Sequence, residues 1–196
     1  MSRIGIMGGT FDPIHTGHLI AAEAARDGCG LDEVWFIPTY HPPLKDNEPG
    51  VSSELRLQMI QEAIGGQSAF KALDIELKRG GMSYSIDTVL ELRSRYPGAE
   101  FSYIIGSDRI NDLPRWHRIE ELAELVTFIG LEREGTPLRL EQLPAYIRER
   151  VMMTAMPPIG ISSTDIRSRV EADRSIAYLV PDTVHQFIKR RGLYES

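Results

Sequence analysis

The 196-residue sequence has a single cysteine, Cys29, which excludes an internal disulfide framework and fits a reducing compartment. It has no apolar run of the about 18 residues that a membrane-spanning helix needs. Positive charge is not in excess either: 22 Lys+Arg against 28 Asp+Glu give a formal net charge of −6. No global field therefore draws the chain to nucleic acid or an anionic membrane, and any anion site must be local. Internal repeats and low-complexity tracts are absent. An apolar strand pattern begins at the third residue and leaves no room for a targeting leader, so a cytoplasmic location is expected. With 42% hydrophobic residues the chain can fill one core, and a single domain over 1–196 is expected, its last part, from about 160 to 196, helical.

What is present begins with Arg3-Ile4-Gly5-Ile6-Met7, a short apolar run typical of a buried strand. Gly8-Gly9-Thr10-Phe11-Asp12-Pro13-Ile14-His15-Thr16-Gly17-His18 follows it directly. A helix start after a glycine turn presents unpaired N–H groups and about half a positive charge, which suits a phosphate. His15 and His18 lie within one helical turn and serve there as donors to an anion or as metal ligands. Cys29 is not spaced to complete a compact zinc site, so the phosphate reading ranks above zinc.

Strand and helix patterns then alternate. Strands are expected at 34–38, 70–77, 101–105, 126–131 and, more weakly, 151–156; helices at 19–26, 52–64, 85–96, 119–125, 143–150, 163–170 and 181–190. Between the second strand and the next helix, residues 41–51 carry Pro42, Pro43, Pro49 and several charges, the composition of an exposed ligand-binding loop. The alternation predicts an α/β protein with a Rossmann-like, doubly wound, mainly parallel sheet flanked by helices, and ligands at the carboxyl ends of its strands, near Met7, Pro38 and Ile105.

Two common phosphate motifs do not fit. Gly5, Gly8 and Gly9 miss the G-x-G-x-x-G spacing, and no Gly-Lys-Ser/Thr follows the turn. A second diagnostic segment, Ile161-Ser162-Ser163-Thr164-Asp165-Ile166-Arg167, reads at first as a capping box of Ser162 with Asp165. Arg167, one turn in, adds a guanidinium to three hydroxyls at a helix start, a set able to hold the outer phosphates of a triphosphate.

Together the two segments resemble the nucleotidyltransferase superfamily with an (H/T)xGH motif and a distal Ser-Ser-Thr helix. More narrowly they resemble the bacterial nicotinate-nucleotide adenylyltransferases, and the likeness runs nearly the full length, to Gly192-Leu193-Tyr194-Glu195-Ser196. Pro42-Pro43-Leu44-Lys45 is similar to a family loop with Leu44 where histidine is usual. Ser83-Tyr84-Ser85-Ile86-Asp87-Thr88 is similar to a family segment with Ser85 in place of threonine. Gly106-Ser107-Asp108 resembles a ribose-contacting corner, Leu113-Pro114-Arg115-Trp116-His117 a tryptophan segment beside the pyridine ring, and Glu132-Arg133-Glu134-Gly135 departs from the family's Arg-Pro-Gly pattern.

The resemblance implies adenylyl transfer from ATP to nicotinate mononucleotide, giving nicotinate adenine dinucleotide and pyrophosphate in NAD biosynthesis, by direct attack without a covalent enzyme intermediate. It implies catalytic roles for His15, His18, Lys45 and Arg167. ATP would meet Gly8, Gly9, Thr10, Phe11, His15, His18, Gly106, Asp108, Ser162, Ser163, Thr164 and Arg167. The mononucleotide would meet Thr39, Lys45, Tyr84, Ser85, Thr88 and Trp116. Mg²⁺ would arrive with ATP, with no protein ligand assigned. Preference for the acid over the amide mononucleotide is expected, neither nucleic acid nor membrane is a partner, and a homodimer is left open. The alternatives are an adenylyltransferase acting on phosphopantetheine, whose relatives tend to lack the tryptophan segment, and a nucleotide-binding sensor that does not turn over.

Overall fold

Each apolar run that reads as a strand contributes at least in part to one sheet in the computed structural model, which describes residues 1–43, 48–132 and 139–195. The described strands are β1 (Ser2–Gly9), β2 (Glu33–Pro38), β3 (Phe70–Ala72), β4 (Ala99–Gly106), β5 (Thr127–Leu131) and β6 (Val151–Thr154). Their order is β3-β2-β1-β4-β5-β6, and every neighbouring pair is parallel. The Rossmann-like α/β expectation is borne out. The helices are α1 (Thr16–Cys29), α2 (Ser53–Ile64), α3 (Ile75–Arg79), α4 (Ser85–Arg95), α5 (Ser107–Ile110), α6 (Ile119–Leu125), α7 (Ala145–Arg148), α8 (Ser163–Glu171) and α9 (Asp182–Arg191). Among the described residues no helix is long and apolar enough to cross a membrane.

The central stretches of β1, β2, β4 and β5 are mostly apolar because both faces of the sheet are covered there. Along β2, Val34 and Phe36 enter one core while Trp35 and Ile37 enter the other. The first core gathers Ala22 and Ala25 of α1, Met59 and Ile60 of α2, Ile166 of α8 and Val184, Phe187 and Ile188 of α9. The second gathers Ile86, Val89 and Leu92 of α4, Leu122 of α6 and Ile147 of α7. Each such fully buried aliphatic or aromatic side chain contributes about 1.5–3 kcal/mol relative to exposure. The helices after residue 160 therefore share the core of α1 and α2, and Thr183 Oγ1 donates to Glu62 O at 2.8 Å to tie α9 to α2.

Two elements differ from the sequence reading. The strand expected over 70–77 stops at Ala72, and Ile75–Arg79 turns into α3. Its partner β2 ends at Pro38, which has no N–H to extend a ladder, and Leu73 N–H already donates to Phe36 O at 2.9 Å. The helix expected over 143–150 shortens to α7, since Arg150 O accepts from Phe128 N–H at 2.8 Å and is thereby drawn into the sheet.

β1 has β2 on one side and β4 on the other, so the chain winds in opposite directions from it. The crevice at the carboxyl ends of β1 and β4 is where such sheets bind ligands.

Candidate active site

β1 runs into this crevice as Gly8-Gly9. A Cβ on Gly8 would lie 2.5 Å from Tyr103 Oη of β4, so only glycine lets the turn pass the phenol. Phe11, 2% exposed and at φ 51°, anchors the turn: its ring meets Phe36 at 5.8 Å and the edge of His18 at 5.0 Å. His15 is the extended residue at which α1 starts. Its N–H donates to His18 Nδ1 at 3.1 Å, and the two imidazoles stack at 3.7 Å. Because Nδ1 is an acceptor, the proton of neutral His18 resides on Nε2, which makes that atom a donor.

The second predicted segment comes to the same place across about 150 residues of sequence. Ser162 caps α8, its Oγ accepting from Asp165 N–H at 3.1 Å. Ser163 Oγ donates to Pro13 O at 2.8 Å, and Arg167 Nη1 donates to Asp12 O at 2.8 Å while lying 3.6 Å from Asp12 Oδ2. Arg167 Nη2 is 3.5 Å from Thr164 Oγ1. The start of α1 is held in turn by residues before α9: Thr16 N–H donates to Leu179 O at 2.9 Å and Thr16 Oγ1 to Tyr178 O at 3.1 Å.

Three residues that sequence reading did not single out complete this half. Asp12 is 4% exposed and accepts from Gly50 N–H at 2.7 Å on Oδ2 and from Tyr194 Oη at 2.8 Å on Oδ1. Burial first, and then the charge of Asp12, push the Tyr194 phenol far above its ordinary value, so it stays a donor. Arg56 of α2 is 1% exposed and donates to Thr10 O at 2.7 Å and Thr39 O at 2.8 Å, clamping the ends of β1 and β2. Burial pulls its guanidinium pKa down, and the nearby Asp12 charge opposes the shift. The signal for Arg56 was present: it falls in the apolar stripe of Leu55, Met59, Ile60 and Ala63, where an arginine has to find buried acceptors.

The other half is aromatic. Tyr84 packs on His117 at 4.2 Å, and Trp116 sits edge-to-face on Tyr103 at 5.5 Å. Ser85, at the start of α4, donates from Oγ to Tyr103 Oη at 3.2 Å. Trp116 Nε1 and Thr39 Oγ1 are buried with no hydrogen-bond partner among the described residues, the mark of polar atoms placed for something else to meet. Thr88 is fully buried; its hydroxyl donates to Glu76 Oε1 at 2.6 Å and accepts from Arg79 Nη2 at 2.8 Å, so it belongs to the frame under Tyr84. Burial pushes the Glu76 carboxyl up. Gly106 ends β4 and Asp108 lies in the first turn of α5. Lys45, Leu44 and Arg133 lie outside the described residues. Among the described residues no group of three His, Cys, Asp or Glu could hold a metal ion.

A parallel sheet of this order, with imidazoles, a capped helix start and an arginine gathered at its switch point, defines a nucleotide-transferring α/β protein. Residues 6–169 match the cytidylyltransferase-like family. The sequence is 41% identical over 200 residues, covering 100% of both chains, to the nicotinate-nucleotide adenylyltransferase of Bacillus subtilis (strain 168). It is 45% identical over 194 residues, 99% of this chain and 97% of the relative, to a protein of Oceanobacillus iheyensis named a probable nicotinate-nucleotide adenylyltransferase. The chain belongs to the nicotinate-nucleotide adenylyltransferase family, within the cytidylyltransferase-like proteins. Its fold is similar to that of Plasmodium falciparum nicotinic acid mononucleotide adenylyltransferase complexed with NaAD, at a TM-score of 0.78 and 21% identity, covering 99% of this chain and 98% of that one.

Proposed function

We propose that this chain transfers the AMP part of ATP to nicotinate mononucleotide by direct in-line attack of the mononucleotide phosphate on the α-phosphorus, with pyrophosphate leaving and no covalent enzyme intermediate. The observation that carries the reading is the meeting of the His15–His18 turn with the start of α8 at the carboxyl end of β1. The attacking oxygen is already anionic, so no general base is required. What remains is to align two anions and to stabilise the charge that builds on the pentavalent phosphorus.

In this reading His18 Nε2–H donates to an α-phosphate oxygen, with His15 stacked behind it. Ser163 spends its hydroxyl proton on Pro13 O, which leaves the backbone N–H groups of Ser163 and Thr164, together with Arg167, for the outer phosphates. The resemblance adds the charge of Lys45 to the phosphate groups in this reading. Gly106 and Asp108 face the ribose, the first-turn N–H groups of α4 at Ser85 and Ile86 meet the pyridine carboxylate, and Trp116 lies against the ring. Thr39 Oγ1 and Trp116 Nε1 are the donors the acceptor would satisfy. Mg²⁺ is the divalent ion of this reading; among the described residues no cluster of carboxylates, imidazoles or thiols would cage it, so it would come with the phosphate oxygens of ATP and neutralise their charge. The chain acts on small molecules in the cytoplasm as one domain over 1–196 with a helical part from about 160; a homodimer would show as twice the 22.1 kDa chain mass in light scattering.

The test is pyrophosphate release with each mononucleotide. We expect kcat/KM for the acid to exceed that for the amide by at least about tenfold, since the amide leaves the carboxylate donors poorly matched. A ratio near one, or one favouring the amide, overturns the acceptor assignment.

A further inference from the structure

We propose that Tyr194 and Asp12 are positioning residues for Arg167, so that the segment following α9 sets how the guanidinium meets the outer phosphates; this rests on the reading of Arg167 as a triphosphate group. The chain is turned back to make the contact. Gly192 adopts φ 57° at the end of α9, Leu193 N–H donates to Ile188 O at 3.1 Å, and the Leu193 side chain is buried in the core. Tyr194 follows at φ 64°, a region that a bulky residue occupies only where its surroundings hold it. What holds it is Asp12 Oδ1, 2.8 Å from the phenol oxygen. A Cβ on Gly50 would lie 3.3 Å from the Tyr194 ring and 3.5 Å from Arg167 Cδ, so the loop backbone fills the space between the two side chains.

The electrostatics give this contact a purpose. Asp12 has two donors already, the phenol on Oδ1 and Gly50 N–H on Oδ2, and its carboxylate stands 3.6 Å from Arg167 Nη1, beyond hydrogen-bond distance. Arg167 instead donates to the Asp12 carbonyl at 2.8 Å. With its oxygens tethered toward Gly50 and Tyr194, the carboxylate is held short of a bidentate pair with the guanidinium, which stays about one-third exposed for an incoming anion. Without the phenol, Oδ1 is a buried acceptor lacking a donor, and the nearest cations, Arg167 and the buried Arg56, would draw it in.

The experiment uses the full chain and compares the native protein with Tyr194→Phe, Asp12→Asn, Arg167→Ala and the Tyr194→Phe/Arg167→Ala pair. KM for ATP, KM for nicotinate mononucleotide, kcat and Tm are measured for each. Tyr194→Phe should raise KM for ATP about fivefold to tenfold, leave KM for the mononucleotide within about twofold, and add nothing once Arg167 is alanine. Asp12→Asn should act in the same direction and reads the same contact if the phenylalanine variant does not fold. A lowered Tm with unchanged KM, equal changes in both KM values, or a full additive loss in the double variant overturns the proposal. If Arg167→Ala itself leaves ATP kinetics unchanged, the phosphate role of Arg167 falls and this proposal with it. If Arg167→Ala impairs ATP use and the Tyr194 and Asp12 variants do not, only the positioning role falls.

Discussion

The two halves of the site are built from different interactions. On the proposed ATP side, the side chains of Asp12, His18, Arg56, Ser163, Arg167 and Tyr194 are held by hydrogen bonds to backbone atoms and to one buried carboxylate. On the proposed mononucleotide side, Tyr84, Tyr103, Trp116 and His117 are fixed mainly by ring packing. In the proposed reading the difference follows from what each half has to do. Charge that develops in a transition state is stabilised only by dipoles already in place, and backbone-anchored donors give that rigidity. A flat heteroaromatic ring is held by shape and stacking, for which aromatic walls suffice. In a chain of net charge −6, the first half concentrates Arg56 and Arg167 around Asp12, which makes positive charge local there.

Replacing His18 with alanine tests the contrast most severely. We expect kcat to fall by about 10²–10³, the usual loss on removing one preorganised donor, with KM for ATP changed less than about threefold. A loss confined to KM would assign the ATP half to ground-state binding and erase the distinction. The seam between the halves is read by Gly8→Ala, which drives a Cβ to 2.5 Å from Tyr103 Oη. It should destabilise the fold by about 1–3 kcal/mol in urea titrations, and Gly8→Ala/Tyr103→Phe should recover most of that by removing the hydroxyl. No recovery would mean that the phenol does not set the approach of the two strands.

The smallest effect lies beneath Tyr84. Burial raises the Glu76 carboxyl pKa, so the folded protein holds this proton more tightly than the unfolded chain. The stability this contributes is complete below the unfolded glutamate value of about 4.3 and is lost as pH rises through the elevated folded value. Glu76→Gln, which keeps an acceptor for the Thr88 hydroxyl, should flatten the fall in stability across that window. An unchanged slope would show that the mononucleotide half carries no buried titrating frame.

Much of the fold was legible because local patterns and tertiary demands agree. The apolar run at 34–38 and the largely apolar one at 101–105 are strands covered on both faces, and Ser52 and Ser162 cap the helices they precede. The misread stretch, 70–77, has an alternation that fits a strand, yet its partner strand ends at Pro38 and the ladder cannot continue. In the site, the glycine turn, His15, His18 and Arg167 were legible as a motif. Asp12 was inside that motif and went unremarked, since its partners, Gly50, Arg167 and Tyr194, are 38, 155 and 182 residues away in sequence. The place of Arg56 in the apolar stripe of its helix signals that it is buried, but nothing nearby in sequence announces that carbonyls of residues 10 and 39 converge on it.

By itself the sequence determined the alternation of strands and helices, the helix caps, the glycine turn and the residue types suited to a triphosphate, because each depends on neighbours within a few positions. The tertiary structure decided the strand order that opens the crevice beside β1, the meeting of α8 with the His15–His18 turn, and the enclosure of Asp12 between an arginine and a tyrosine. Those arrangements depend on which buried polar atoms find partners across the core, and that is settled only when the whole chain has closed.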